Sequence, residues 1–108
     1  MRRFFILAAL LCAIPVQAQD YPNKPIRMLV PFAPGGAVDT AGRILALKMD
    51  ERLGWKFVIE NRPGGNGFIA TTAVAKAPAD GYTLLLAHTG EFAVNPALFD
   101  NVPYDLER

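Results

Sequence analysis

Hydrophobic and polar residues follow one another in blocks along the chain, each with the period of a strand or a helix. The run from Ile26 to Phe32 is rich in large and β-branched apolar residues and predicts a buried strand. From Ala37 the apolar residues recur at helical spacing until Gly54, which predicts an amphipathic helix that ends at a glycine. Its predicted apolar face comprises Val38, Ala41, Ile44, Leu45, Met49 and Leu53.

The second half of the chain repeats this order. Trp55 to Glu60 predicts a second strand, the alanine-rich segment Phe68 to Ala77 a second helix, and Tyr82 to Ala87 a third strand. Residues 93–99 predict a short helical turn. Strand, helix, strand, helix, strand at this spacing predicts right-handed crossovers and a parallel sheet, and therefore an α/β fold.

Three glycine-bearing or polar loops follow the predicted strands, at residues 33–39, 61–67 and 88–92. In a parallel sheet these loops leave from one edge, at the carboxyl ends of the strands. Open α/β sheets bind ligands there, in the crevice where the strand order reverses. The three loops are therefore the predicted site.

The first 18 residues have the layout of a secretory signal peptide. Arg2 and Arg3 precede an apolar run from Phe4 to Val16, and small or permissive residues lead to a cleavage point after Ala18. A membrane-spanning helix needs about 20 apolar residues, so an uncleaved anchor is the weaker interpretation. Cys12 lies within the apolar run, with Leu11 before it where a lipoprotein signal needs a small residue, and we interpret it as inert.

Composition after Ala18 excludes several classes of protein. This part has no cysteine, so it carries no disulfide framework. Two of the 11 basic residues lie in the signal segment, which leaves nine against ten acidic residues and a net charge of −1. No basic stripe is present, which argues against a nucleic-acid partner. The length suits at most one small domain.

The pair Gly35-Gly36 before a helix suggests an anion site. We expect its backbone N–H groups to be unpaired at the positive end of the helix dipole, although a tight turn alone would also explain the glycines. Asp39 suits the first turn and can pair with Arg43 one turn on. The motif is neither G-x-G-x-x-G nor a P-loop, which argues against a dinucleotide or nucleoside triphosphate site.

His88 is the only histidine and is followed by Glu91 in the third loop. Neither a further metal ligand nor a nucleophile accompanies them, so we interpret Thr89 and the Gly90 amide as polar lining and His88 as a rim residue. An exported enzyme that uses His88, Glu91 and Asp39 stays open as an alternative. Phe68, Phe92 and Tyr82 are predicted core residues.

Several spaced motifs carry a resemblance to one family. They are YPNKPIR at 21–27, VPFAPGG at 30–36 with Asp39, ENRPGGNG at 60–67, ADGYTLL at 79–85, NPALF at 95–99 and VPYD at 102–105. Together they resemble the TctC-like extracytoplasmic solute-binding proteins of the tripartite tricarboxylate transporter family, also called the Bug family. The resemblance covers nearly all of the chain after residue 18.

The resemblance implies a two-lobed, type 2 periplasmic-binding-protein fold of the Venus-flytrap kind. Residues 19–108 would be the first βαβαβ part of lobe 1, with the second lobe absent. It implies a periplasmic protein without a cofactor that holds a small carboxylate, such as a di- or tricarboxylate, an acidic amino acid or an aromatic acid, and passes it to membrane permease subunits. The implied ligand-binding residues are Phe32, Pro34, Gly35, Gly36, Asp39, Asn66, Gly67, His88, Thr89 and Gly90.

Length is the main departure from the family. Its members continue beyond Tyr104-Asp105 into a second lobe, so the chain is interpreted as an N-terminal fragment or a truncated gene product. Alone it would lack the opposing wall of the cleft, and weak or no binding is expected. An inert truncated product without a stable fold is a third hypothesis.

Overall fold

A computed structural model describes residue 18 and residues 20–107. The predicted signal peptide, residues 1–18 with Cys12, lies outside the described residues apart from Ala18. Among the helices that are described, none combines the length and the apolar character needed to cross a bilayer.

The described residues form an α/β unit in the predicted order. Two strand-helix units lead into a third strand, and short helical turns follow it. The elements are β1 (Ile26–Val30), α1 (Ala37–Leu53), β2 (Phe57–Asn61), a 3₁₀ turn (Gly65–Gly67), α2 (Phe68–Ala75), β3 (Thr83–Leu85), a π-helical turn (Gly90–Val94) and α3 (Asn95–Leu98).

The three strands form one parallel sheet in the order β2-β1-β3. Ile26 lies opposite Phe57 on one side of β1, and Leu29 lies opposite Leu85 on the other. The central strand is the best buried part of the sheet, with Ile26 and Leu29 at 0% and 1% exposed. The parallel sheet predicted from the sequence is therefore confirmed. Because the chain leaves β1 on one side and returns on the other, the strand order reverses at β1.

β1 and β3 end earlier than predicted, whereas β2 begins later and ends one residue later, at Asn61. β1 was expected to reach Phe32, but Pro31 has no N–H group with which to continue the ladder. The last bonds of the sheet run from Arg62 N to Val30 O (2.8 Å) and from Leu86 N to Leu29 O (2.9 Å). Beyond these bonds the three segments separate into loops.

The buried face of α1 includes only part of the predicted one. Asp39 and Gly42 are its buried residues, and Val38 and Met49 of the predicted face are half-buried. Ile44, Leu45 and Leu53, predicted to face the core, are 56%, 44% and 55% exposed. The reason is Gly42: a Cβ there would lie 2.8 Å from Leu86 Cδ2, so the missing side chain lets the helix lie close to the sheet.

Of the three aromatic residues predicted for the core, Phe68 and Tyr82 are half-buried. The prediction for Phe92 is wrong, since it is 50% exposed. Phe92 belongs to the π-helical turn, whose buried residue is Glu91 instead.

Enlarging Gly42 should loosen this contact. We expect Gly42→Leu to lower the free energy of unfolding by about 1–3 kcal/mol, because the extra atoms overpack against Leu86 and β1. Urea unfolding followed by circular dichroism measures the change. Ala41→Leu is the matched control, since Ala41 is exposed and its replacement should stay within about 0.5 kcal/mol. Equal midpoints for the two variants would contradict this account of helix packing.

Candidate functional site

The loops after the three strands meet at the carboxyl edge of the sheet. Asn61, the last residue of β2, donates a hydrogen bond to Phe32 O (3.1 Å) in the first loop. The rings of Phe32 and His88 lie 4.6 Å apart, which connects the first loop to the third. Asn95, after the third loop, donates to Asn66 O (2.7 Å) in the second. Each loop therefore contacts the other two.

Asp39, in the first turn of α1, is a buried carboxylate with 2% of its surface exposed. Oδ2 accepts hydrogen bonds from Arg43 Nε and from the N–H group of Gly35, both at 2.9 Å. Oδ1 accepts one from Asn61 Nδ2 at 2.8 Å. Arg43 first, and then Gly35 and Asn61, hold the pKa of this carboxyl well below its usual range. The predicted pairing of Asp39 with Arg43 is confirmed.

The free donors of this loop lie beyond the glycine pair. The expectation that Gly35 and Gly36 have unpaired N–H groups is wrong: Gly35 donates to Asp39, and Gly36 donates to Ala33 O at 3.4 Å. Gly35 has a φ of +85°, a conformation that favours glycine. Within the described residues, the N–H groups of Ala37, Val38 and Asp39 make no hydrogen bond. Asp39 is buried, so the positive end of α1 is presented mainly by Ala37, which is exposed, and Val38, which is half-buried.

The arginine of the second loop, Arg62, forms a salt bridge with a neighbouring glutamate. Arg62 pairs with Glu60 Oε1 at 2.5 Å, and Arg27 pairs with Glu60 Oε2 at 2.6 Å. Arg27 and then Arg62 lower the pKa of Glu60. Arg62 is therefore engaged with its own strand in this structure and is not extended toward the edge.

The third loop is built around Glu91, whose side chain is 1% exposed. Glu91 Oε2 accepts the backbone N–H of His88 at 3.0 Å and lies 2.9 Å from His88 Nδ1. The hydroxyl group of Tyr104 donates to the carbonyl oxygen of Glu91. Gly67 makes room for the carboxylate, since a Cβ there would lie 2.5 Å from Oε1. The sequence alone places an imidazole and a carboxylate in one polar loop; the structure adds that the carboxylate is buried.

The residues predicted to bind a ligand all lie at or just behind this edge. Phe32 and Gly90 are half-buried, and Asp39 and Gly67 are buried. Sequence reasoning overlooked Asn61, which joins the first two loops, and no local signal distinguishes it from another strand-end asparagine. The exposed members of the predicted set are Pro34, Gly35, Gly36, Asn66, His88 and Thr89.

Two pockets lie away from the edge. One of about 230 Å³ lies near Lys24 and Lys56, at the amino ends of the strands. The other, of about 200 Å³, lies between α2 and β3. In the part of the chain that is described, no group of three His, Cys, Asp or Glu residues is placed to hold a metal ion.

The pH dependence of stability should reveal Asp39. Because its pKa is lowered in the folded chain, the folded chain binds this proton less readily than the unfolded chain does. Its contribution is therefore complete above about pH 4, the ordinary range of aspartate, and is lost as the pH falls through the lower folded-state pKa. We expect Asp39→Asn to be less stable than the unsubstituted chain near neutral pH, with a gap that narrows in acid, in urea unfolding across pH.

Asp100→Asn is the matched control, because it removes one negative charge from an exposed position. It should leave the shape of the stability profile unchanged. Parallel profiles for Asp39→Asn and the unsubstituted chain would show that the Asp39 hydrogen bonds do not stabilise the fold.

The chain is similar to proteins of a known family. Residues 41–108 match the family model described as the tripartite tricarboxylate transporter family receptor. Protein BugT of Bordetella pertussis is 47% identical over 93 residues, which cover 85% of this chain and 28% of BugT. The chain thus spans less than a third of the length of this relative.

Solved structures agree in fold. The periplasmic binding protein BugD is 46% identical with a TM-score of 0.73, over 79% of this chain and 28% of that chain. Rpa4515 of R. palustris, described with adipate, is 41% identical with a TM-score of 0.74, over 80% and 29%. MatC of Rhodopseudomonas palustris, with bound malate, is 39% identical with a TM-score of 0.73, over 78% and 29%.

These matches confirm the resemblance in the sequence motifs and the periplasmic-binding-protein fold. The matched family and BugD are binding proteins rather than enzymes. The chain belongs to the tripartite tricarboxylate transporter receptor family, which includes the Bug proteins.

Proposed function

We propose that the chain supplies part of the extracytoplasmic solute-binding component of a tripartite tricarboxylate-type transporter, and that its sheet edge captures a small carboxylate. The observation that carries this proposal is the group of free N–H donors at the start of α1, where Ala37 is exposed and Val38 is half-buried. They open a helix of 17 residues, and a helix N-terminus attracts anions through its orphan N–H groups and its dipole.

The position of these donors supports the proposal. In a sheet of order β2-β1-β3 the ligand crevice lies between the loops of β1 and β3. Phe32 and His88, one from each of these loops, contact each other across that boundary. A carboxylate at the start of α1 would therefore lie beside His88, Thr89 and Gly90.

The ligand class is inferred from charge and from the relatives. Rpa4515 is described with adipate and MatC with malate, which are both dicarboxylates. In this chain Arg43 and Arg62 are paired with Asp39 and Glu60, so backbone N–H groups are the main donors left at the edge. Backbone donors recognise a carboxylate without selecting its hydrocarbon chain.

The strength of binding follows from the number of donors. One helix terminus contributes about 0.3–1 kcal/mol and one hydrogen bond to a charged group about 1.5–3 kcal/mol. A micromolar complex needs about 8 kcal/mol, and a millimolar one about 4 kcal/mol. We therefore expect the 108-residue chain to bind a dicarboxylate in the millimolar range, and tighter capture to need further donors and the exclusion of water.

An enzymatic role for His88, Glu91 and Asp39 is not favoured by the geometry. Asp39 accepts three hydrogen bonds and its pKa is lowered, so it is a weak proton acceptor. Glu91 is buried and engaged with His88. We propose a binding role for the edge, with delivery of the ligand to membrane permease subunits.

Removal of a single backbone donor tests the site. Ala37 is the first residue of α1, where proline fits the helix and lacks only the N–H group. We expect Ala37→Pro to weaken adipate binding about tenfold, the loss of one hydrogen bond to a charged group. Chemical-shift changes in ¹H–¹⁵N spectra during an adipate titration measure the affinity, and in the unsubstituted chain the Ala37 and Val38 amides should move most.

Ala37→Gly is the matched control, because it keeps the N–H group and should bind like the unsubstituted chain. Equal affinity for Ala37→Pro, or shifts confined to other parts of the chain, would exclude the helix start as the anion site. The stability of both variants, measured by thermal unfolding, separates lost binding from lost folding.

Export is the proposed route to the periplasm. We expect the chain, produced in a bacterium with its own leader, to reach the periplasm with Gln19 as its first residue. Mass spectrometry of the periplasmic fraction measures the mature mass. Leu10→Arg, which interrupts the apolar run, should leave the chain unprocessed. A periplasmic chain that retains Met1 would contradict the signal-peptide assignment.

A further inference from the structure

The buried carboxylate of Glu91 has no part in the proposed binding of an anion at the start of α1. It is 1% exposed, and its Oε2 lies 3.0 Å from His88 N and 2.9 Å from His88 Nδ1. Gly67 lies directly against the other oxygen, and Tyr104 bonds the Glu91 carbonyl group. The carboxylate therefore lies between Gly67 and His88, beside the imidazole ring, and Tyr104 fixes the main chain of Glu91.

Two groups compete for His88 Nδ1. The N–H group of Gly90 lies 2.9 Å from this nitrogen and can donate to it when it carries a lone pair. In that tautomer, however, the lone pair would also face Glu91 Oε2 at 2.9 Å, which places two acceptors against each other. A proton on Nδ1 removes this repulsion and forms a charge-assisted hydrogen bond, which is about twice as strong as a neutral one.

Burial is a second reason for Nδ1 to bond with Glu91 rather than with Gly90. Glu91 is buried and within the described residues has only the His88 groups as side-chain hydrogen-bond donors. Gly90 is only half-buried, so water can accept the hydrogen bond of its N–H group in place of Nδ1. The proton therefore belongs on Nδ1, and the neutral ring carries its lone pair on Nε2.

We propose that Glu91 is a positioning residue that holds His88 in the Nδ1–H tautomer, so that Nε2 accepts a hydrogen bond from a hydroxyl group of the ligand. The ring is half exposed and contacts Phe32 at the boundary between the β1 and β3 loops. With Nδ1 turned to Glu91, Nε2 is the ring nitrogen left for a ligand. The part of the inference that concerns the ligand rests on the proposed function, and the tautomer does not.

This arrangement predicts the class of carboxylate. A lone pair on Nε2 repels a second carboxylate group and attracts an O–H group. A hydroxy-dicarboxylate bound through one carboxylate at α1 would therefore be preferred over the same acid without its hydroxyl group. Malate and succinate form such a pair, since they differ only in that group.

The tautomer of His88 can be measured in the absence of a ligand. Because His88 is the only histidine in the chain, a ¹⁵N spectrum of the imidazole nitrogens contains a single ring. At a pH where the ring is neutral, we expect Nδ1 to carry the proton and Nε2 to show the shift of an unprotonated nitrogen. A spectrum dominated by the Nε2–H tautomer in the unsubstituted chain would overturn the proposal, whatever any variant does.

Glu91→Met tests whether the carboxylate is the cause. Methionine keeps an unbranched side chain of similar length but carries no oxygen acceptor, so Nδ1 becomes free to accept from Gly90, and the ring should move to the Nε2–H tautomer. Glu107→Met, at an exposed position, is the matched control and should leave the spectrum unchanged. An unchanged tautomer in folded Glu91→Met would show that Glu91 has only a structural role.

The ligand preference is tested by titrating malate and succinate into the unsubstituted chain and into His88→Phe, which keeps the aromatic contact with Phe32 but lacks both nitrogens. We expect malate to bind about 2 to 10 times more tightly than succinate, the effect of one hydrogen bond, and the ratio to approach one in His88→Phe. Equal ratios in both proteins would overturn the role of His88. If neither acid binds, the proposed function fails with the ligand preference, and the ring spectrum still decides the positioning role of Glu91.

Discussion

The buried carboxylate of Asp39 is the contact on which the binding edge depends. It joins the turn before α1 through Gly35, the helix itself through Arg43, and the end of β2 through Asn61. Because Asp39 occupies the N–H group of Gly35, the free donors are displaced to the first three residues of the helix. The same carboxylate that fixes the loop therefore decides which backbone N–H groups stay free at this edge.

Glu91 has a parallel role in the loop after β3. Asp39 orients backbone donors on the β1 side of the crevice, and Glu91 orients an imidazole on the β3 side. The two loops contact each other through Phe32 and His88, so the two carboxylates act on one surface. Both carboxylates are buried and engaged with protein groups, Asp39 with three donors and Glu91 with His88, so neither is exposed at the surface of the edge.

Local pattern predicted much of this fold, because strand and helix periods depend on neighbouring residues. The element order, the span of α1 and the pairing of Asp39 with Arg43 all followed from spacing. The pattern predicted the buried face of α1 only in part: Val38 and Met49 are half-buried, but the helix lies closest to the sheet at Gly42, which allows close approach to Leu86. The roles of Asn61 and Glu91 were beyond prediction, since a polar residue becomes buried only where distant segments supply its partners.

The account makes Asp39 and Asn61 parts of one structural unit, and a double-mutant cycle on the free energy of unfolding tests this most directly. The cycle compares Asp39→Ala, Asn61→Ala and the double variant in urea, because alanine at either position removes the hydrogen bond between the two side chains. The account predicts that the losses in the free energy of unfolding do not add. The double variant should be hardly less stable than the less stable of the two single variants. Losses that simply add would show that the two side chains act independently, and would contradict the claim that Asp39 organises the edge.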